Sequence, residues 1–345
     1  MDRATSPRDR PVGMPGFSPA LRPATVVAAF VALYLFLDWL SFVHAINAFG
    51  VTPWNPQPAL AVALLAFAGQ RAIPAVLAAV VLSEIVVRGA PAPAVATAFA
   101  ALALTLGYAA TAQWLVSRHG PRLPMASHAD LARLLAGIAG GTLLTGTLFI
   151  GSLIASGYAP AGPAPEVLLQ FWIGDGVGLV VTLPLILVLV DPARRGQLRA
   201  ALAQRESLLQ LAVTAAVLWF VLKGPPSEQV KYFYLLFLPV VWIAARHGLA
   251  GAAVAIGIVQ AVIAIEVHGS AYESLTVFEL QAEVIALAIT GLFLGMAVDE
   301  RQRLGEELRR SLHLAAAGRM AACRERTSST CRTIQTRSSR RSDAR

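Results

Sequence analysis

The sequence predicts an all-α fold: a polytopic bundle of about eight to ten transmembrane helices, followed by a cytoplasmic amphipathic helix. Three observations carry this expectation. Of the 345 residues, 56% are hydrophobic and only 14% charged, well beyond the apolar content of a water-soluble domain. The apolar residues fall in runs of membrane-crossing length or somewhat less, separated by short polar loops. The formal charge of +8 comes from arginines in those loops and near the C-terminus, as the positive-inside rule requires, so no nucleic-acid surface need be invoked. The two cysteines, Cys323 and Cys331, have no histidine beside them, which points away from a disulfide framework and from a zinc site.

Residues 1–23 are polar and proline-rich, carry Arg3, Arg8, Arg10 and Arg22, and lack the apolar core of a signal peptide; they read as a cytoplasmic leader. A first span covers residues 24–43 and contains Asp38. The loop 47–58, with Pro53, Trp54, Pro56 and Pro58, is expected at a membrane interface. Two apolar segments follow, 59–69 and 73–87. Each falls short of the roughly 20 residues of a straight span, so they read as tilted, broken or re-entrant, with Gln70 and Arg71 in a tight turn between them. Glu84 lies inside the second. Residues 91–116 form an alanine-rich span and 134–158 another, which carries Gly137-x-x-x-Gly141. The run 167–190 holds Asp175 among Gly174, Gly176 and Gly178. Further spans are expected at 208–222, 232–245, 249–267 and 277–298, the last with Gly291-x-x-x-Gly295.

Ten spans from a cytoplasmic start put Arg71, Arg118, Arg122, Arg133, Arg194, Arg195, Arg199, Arg205 and Arg246 on the leader's side of the membrane. Only Arg88, Lys223 and Lys231 fall opposite. That bias predicts both termini in the cytoplasm. No repeat is detectable between the two halves. Beyond Val298 the chain turns charged, and Leu304, Leu308, Leu312 and Ala315 form the stripe of an amphipathic or dimerising helix over 299–322, suited to signal relay. Residues 323–345 are rich in Arg, Ser and Thr without apolar period and read as a disordered basic tail.

An ionised Asp at the centre of a spanning helix costs about 2.5 to 3.5 kcal/mol on insertion scales, so such residues normally face a partner, water or a ligand. Asp175 is therefore the first functional candidate, with Asp38 and Glu84 beside it; a structural hydrogen bond is the plain alternative. Gly174 and Gly178, four apart, share one helical face that a neighbour or ligand can approach closely, and Trp172, Trp54 and Arg71 complete the candidate set.

The stretch Phe171-Trp172-Ile173-Gly174-Asp175-Gly176-Val177-Gly178, followed by Thr182-Leu183-Pro184-Leu185, resembles the F-W-x-G-D-x-x-G…T-P-L signature of the bacterial membrane-associated sensor domains of the first class. Residues 54–65 resemble the family's W-P-P-x-G-x-A-L-A-L run, with Asn55 and Gln57 where small residues or proline are commoner. Gly69-Gln70-Arg71-Ala72-Ile73-Pro74 resembles its Gly-x-Arg turn. The likeness covers residues 24–298. It implies an inner-membrane input module of a signalling protein, often a two-component histidine kinase, that recognises a small-molecule or membrane-borne signal amid lipid; the stripe beyond Val298 and Gly291-x-x-x-Gly295 suggest a homodimer, with packing inside the bundle the alternative for the glycines. Residues 308–322 are similar to the start of a kinase dimerisation helix, but the A-x-A-H-E-x-N-Q-P-L phosphoacceptor stretch does not follow. His313 stands about ten residues too early to replace it and reads as an ordinary helix residue. No ATP-binding glycine-rich loop is present outside the spans, so ATP, Mg and a response regulator are expected only for a full-length kinase relative, and the residues after Ala322 read as an out-of-frame stretch. A secondary transporter, a stand-alone receptor and an inert anchor are the competing classes, since intramembrane carboxylates also line ion paths.

Overall fold

The computed structural model describes residues 23–42, 51–120, 123–224, 226–269 and 274–342, with side chains placed up to Leu314; the leader before Pro23 lies outside the described residues. Every regular element among them is helical: α1 (Pro23–Ser41), α2 (Gln57–Ala68), α3 (Ile73–Val86), α4 (Ala94–His119), α5 (His128–Ala155), α6 (Ala164–Val190), α7 (Pro192–Leu202), α8 (Arg205–Lys223), α9 (Pro226–Tyr232), α10 (Phe237–Gly269) and α11 (Ser274–Ser342), with one-turn 3₁₀ segments at Gly69–Ala72 and Phe233–Leu236. Among the described residues eight helical stretches are long and apolar enough to cross a membrane, Gln57–Val86 and Gln229–Glu266 included. The chain is thus an all-α polytopic membrane bundle.

Two of those stretches reverse direction internally. Gln57 at the start of α2 and Ser83 near the end of α3 both donate to the carboxylate of Asp38, so the chain turns back between them. In α10, side chains 16 positions apart, Val240 and Ile256, both border Gly291, which a straight helix cannot arrange. A glycine of the same unusual backbone makes each break: Gly69 at φ 67°, ψ −157° and Gly248 at φ 64°, ψ −154°. That region is essentially closed to residues with a Cβ, which explains why glycine stands at both turns. Each half of the chain therefore carries a helical hairpin, preceded by an apolar helix (α1; α8, with the short α9 and a 3₁₀ turn between) and followed by a long one (α4, α11). The likeness rests on the two glycine turns, which share one backbone conformation.

Small residues set the helix packing. A Cβ on Gly107 or Gly141 would overlap Thr145 or Thr111 across the α4–α5 contact, and one on Gly137 would overlap Trp114 and Leu115. Those threonines donate back to their own helices, Thr111 to the Gly107 carbonyl and Thr145 to that of Gly141, both at 2.8 Å, so no hydroxyl is stranded in the apolar contact. Gly146 receives Phe171 of α6, which stacks on Phe149 at 5.4 Å. Gly291 and Gly295 pack against the α10 hairpin within the bundle, Gly295 lying against the Gly248 backbone itself. α5 begins earlier than its apolar run because Ser127 and Asp130 form a capping box, which draws residues 128–133 out of the expected loop and into helix.

Of the loop expected at a membrane interface, the described part, residues 51–58, is buried within the protein. Val51, Thr52 and Trp54 to Pro58 are shielded from solvent, and the segment inserts against α6. Non-helical backbone is tolerated at membrane depth only when protein surrounds it and its polar groups are satisfied. Pro53, Pro56 and Pro58 carry no N–H, which cuts the number of donors to satisfy, and Asn55 N donates to the Gly174 carbonyl at 3.2 Å. Proline density here marks a buried loop.

Residues up to Val298 form one compact unit and 299–345 a second. In the second, Leu304, Leu308 and Leu312 are exposed, and the side chain of Ala315 lies outside the described residues. The backbone of α11 is helical to Ser342, through the stretch expected as disordered tail; from Arg319 to Ser342 the chain has no glycine or proline to interrupt a helix.

Candidate functional site: a buried polar network

Asp38 is three residues from the end of α1 and 1% exposed; Asp175 is near the middle of α6 and fully buried. The inserted loop connects them. Asn55 Nδ2 donates to Asp175 Oδ1 at 2.7 Å, and Asn55 Oδ1 accepts from Thr52 Oγ1 and, at 3.3 Å, from Gln57 Nε2. Gln57 Nε2 also donates to Asp38 Oδ1 at 2.6 Å, and Ser83 Oγ donates to Asp38 Oδ2. Arg88 closes the network from beyond α3. It donates from Nη2 to Asp38 Oδ1 at 3.0 Å and from Nε to Oδ2 at 3.4 Å, a two-pronged grip, while its Nη1 stands 3.5 Å from Glu84. The guanidinium also lies 5.1 Å from the Phe42 ring centroid.

Gly174 and Gly178 make this geometry possible. A Cβ on Gly178 would overlap the Asn55 carbonyl oxygen outright, and one on Gly174 the Thr52 carbonyl oxygen. The glycine face of α6 therefore admits backbone of the loop, and Asp175 between the two glycines meets the loop's side chains. Gly176 looks into open space.

One side of Asp175 is satisfied less fully. Oδ2 is buried and makes no hydrogen bond of ordinary geometry, with the Tyr108 hydroxyl of α4 as a further neighbour. Trp54 Nε1 is likewise buried without a hydrogen-bond partner. A cavity of about 20 Å³ adjoins the network, walled by Tyr34, Asp38, Asn55, Gln57, Glu84, Arg88 and Tyr108 among others. As folded, the site has room for about one water molecule; anything larger requires the walls to move. Among the described residues no group of three His, Cys, Asp or Glu side chains is arranged to hold a metal ion.

The structure brings Asp38, Glu84, Asp175, Gly174 and Gly178 together, and places Trp54 in the loop that joins them. It does not bring in Trp172 or Arg71. Trp172 is 37% exposed and donates from Nε1 to the Ala139 carbonyl of α5 at 2.8 Å instead of joining the loop's network. Arg71 is exposed at the far end of the α2–α3 hairpin. The residues that sequence reasoning missed are Asn55, Gln57, Ser83, Arg88 and Tyr108. Asn55 and Gln57 drew notice only as departures from a motif, and Arg88 only as a loop charge; its place four residues after Glu84 was the available signal.

No curated protein and no solved structure matches the chain. The family model of MASE1, a family of membrane-associated sensor domains typical of signalling proteins, matches residues 23–302, the whole bundle and the first turn beyond it. With the Gly-Asp signature at the centre of a buried network and a match over most of its length, this chain belongs to the MASE1 family.

Proposed function

We propose that this chain is the signal-input part of a bacterial two-component histidine kinase, set in the inner membrane with both termini cytoplasmic, and that the Asp38–Asp175 network is its sensing centre. The observation that carries the proposal is the connection itself: α1, the inserted loop, the end of α3 and α6 share one chain of buried hydrogen bonds. Such a network has few ways to be satisfied, so a change at one oxygen favours a different arrangement of the elements holding it, which is what a two-state sensor needs. The site holds three carboxyl groups and one guanidinium, so a signal that alters its protonation, or that prises the loop from α6, acts on all four elements together. The apolar stripe at Leu304, Leu308 and Leu312 would pair across a homodimer and relay the change to a kinase core, where ATP, Mg and a response regulator belong.

To test this, residues 1–322 would be joined to the kinase core of a full-length relative and autophosphorylation followed in membranes across growth conditions. Asp175→Asn is expected to change how phosphorylation varies between conditions. A folded, inserted variant whose profile superimposes on the wild type would remove Asp175 from the sensing site.

The repeated glycine-broken hairpin favours a second reading, a secondary transporter, because carriers place substrate sites at broken helices related by internal repeat. Saturable, gradient-driven uptake into proteoliposomes would support it; the small cavity and the relay stripe speak for the sensor.

A further inference from the structure

A second polar group lies far from the network, where α7, α8 and α10 meet. There a cavity of about 140 Å³ is walled mainly by apolar side chains, including Leu211, Ile243, Val254 and Ile258. Four polar side chains line it, Ser207, Gln210, Thr214 and His247, of which Thr214 donates back to the Gln210 carbonyl at 2.7 Å. His247 Nε2 is 2.9 Å from Gln210 Oε1 and 3.4 Å from Ser207 Oγ. The other end of the Gln210 amide, Nε2, has no partner although Gln210 is only 2% exposed. A buried donor left unpaired is costly, and an occupant with a matching group would recover that cost.

The surroundings define that occupant. The volume is close to that of an engineered apolar cavity, about 150 Å³, that accepts benzene. The cavity shares Leu211, Thr214 and Ile258 with a larger, apolar cleft of about 620 Å³ that runs along α8 to Trp219 and Lys223, so a tail has somewhere to go. No Asp, Glu, Lys or Arg side chain lines the cavity, and the nearby Arg246 and Glu206 pair with each other at 2.8 Å, so the lining favours a neutral head. A hydroxyl both donates and accepts, and it pairs with the Gln210 amide whichever way that amide is turned.

We propose that the α7–α8–α10 cavity binds a neutral, hydroxyl-bearing amphiphile of medium chain length that enters from the membrane, its hydroxyl on Gln210 and its chain along α8. His247 immediately precedes the Gly248 turn on which Gly295 packs, so occupancy bears directly on the contact between the hairpin and α11. The site does not depend on the Asp38–Asp175 network and stands or falls separately from the sensing proposal.

The test uses the full chain in nanodiscs and a ten-carbon primary alcohol carrying a chain diazirine and a terminal alkyne. Photolabelling is expected on α8 and α10 peptides lining the cavity and to be displaced by 1-decanol but not by n-decane at equal mole fraction in the bilayer. Gln210→Leu should weaken labelling by about threefold to tenfold, the equivalent of one hydrogen bond, and Val254→Phe, which fills the cavity and leaves the polar group intact, should abolish it. Labelling spread evenly over lipid-facing helices, equal displacement by decane, or undiminished labelling in Val254→Phe would each overturn the proposal. If Gln210→Leu does not fold, the alcohol–alkane comparison and Val254→Phe decide alone.

Discussion

Replacing the three glycines of α6 one at a time by alanine separates the backbone approach from helix propensity. In the interior of a helix alanine is favoured over glycine by about 0.8 to 1 kcal/mol. Gly176 faces open space, so Gly176→Ala should leave stability unchanged or raise it by up to that amount. Gly174 and Gly178 carry the same propensity gain but lie directly beneath the Thr52 and Asn55 carbonyl oxygens. Ordinary contact between such atoms is about 3.5 Å, so the loop must retreat by about an ångström for Gly174→Ala and further for Gly178→Ala. A retreat of that size breaks the 2.7 Å bond from Asn55 to Asp175 and the 3.2 Å bond from Asn55 N to the Gly174 carbonyl. Overpacking costs about 1 to 3 kcal/mol and an orphaned buried polar group a similar amount, so a net loss of about 2 to 4 kcal/mol is expected at Gly178 and somewhat less at Gly174. SDS-titration unfolding of the purified chain, followed by tryptophan fluorescence, would read the series. Equal effects for Gly176→Ala and Gly178→Ala would refute the inserted-loop geometry.

Removing Arg88 leaves the Asp38 carboxylate buried without its cation, so Arg88→Met should destabilise by about 3 to 5 kcal/mol, whereas the double variant Asp38→Asn with Arg88→Met should recover a large part of that loss in the same unfolding assay. Trp172→Phe loses one hydrogen bond at a half-exposed position and should cost no more than about 1.5 kcal/mol, with the phosphorylation profile of the kinase fusion unaltered. Gly295→Leu forces a side chain into the Gly248 backbone and should separate α11 from the α10 hairpin, detectable as faster hydrogen exchange at residues 249–256. An unchanged exchange pattern there would place the α10–α11 contact elsewhere.

The helical class and the positions of most helices were legible because apolar run length is a strong signal and membrane depth sets its scale. The Gly-Asp signature was legible for a different reason: a carboxylate and bare glycine faces are each unusual inside an apolar run, and together they pointed to the stretch of α6 on which the buried loop packs. What the sequence hid is the partner of that stretch. Asn55 and Gln57 lie in an irregular segment 120 and 118 positions before Asp175, and no periodicity connects a loop to the helix it packs on. The same prolines that suggest an exposed turn are compatible with a buried one, since both settings favour backbone with few N–H groups. The reversal at Gly69 was anticipated from short run length. At Gly248 the flanking runs read as separate spans, but that both turns share one glycine conformation emerges only from backbone angles. Trp172 was misplaced because positions three apart share a helix face only to within about 60°, and a long indole can still turn to a different neighbour, here the Ala139 carbonyl of α5.

The most direct test of the central claim, that Asp38 and Asp175 belong to one network although 137 positions separate them in the chain, is a double-mutant cycle. Asp38→Asn, Asp175→Asn and the double variant would be compared with the wild-type chain by SDS-titration unfolding. Joined through Gln57 and Asn55, the two substitutions should be non-additive by about 0.5 kcal/mol or more, since whichever is made first already loosens the loop on which the other acts. Losses that add within about 0.3 kcal/mol would mean two independent buried carboxylates and no shared sensing centre.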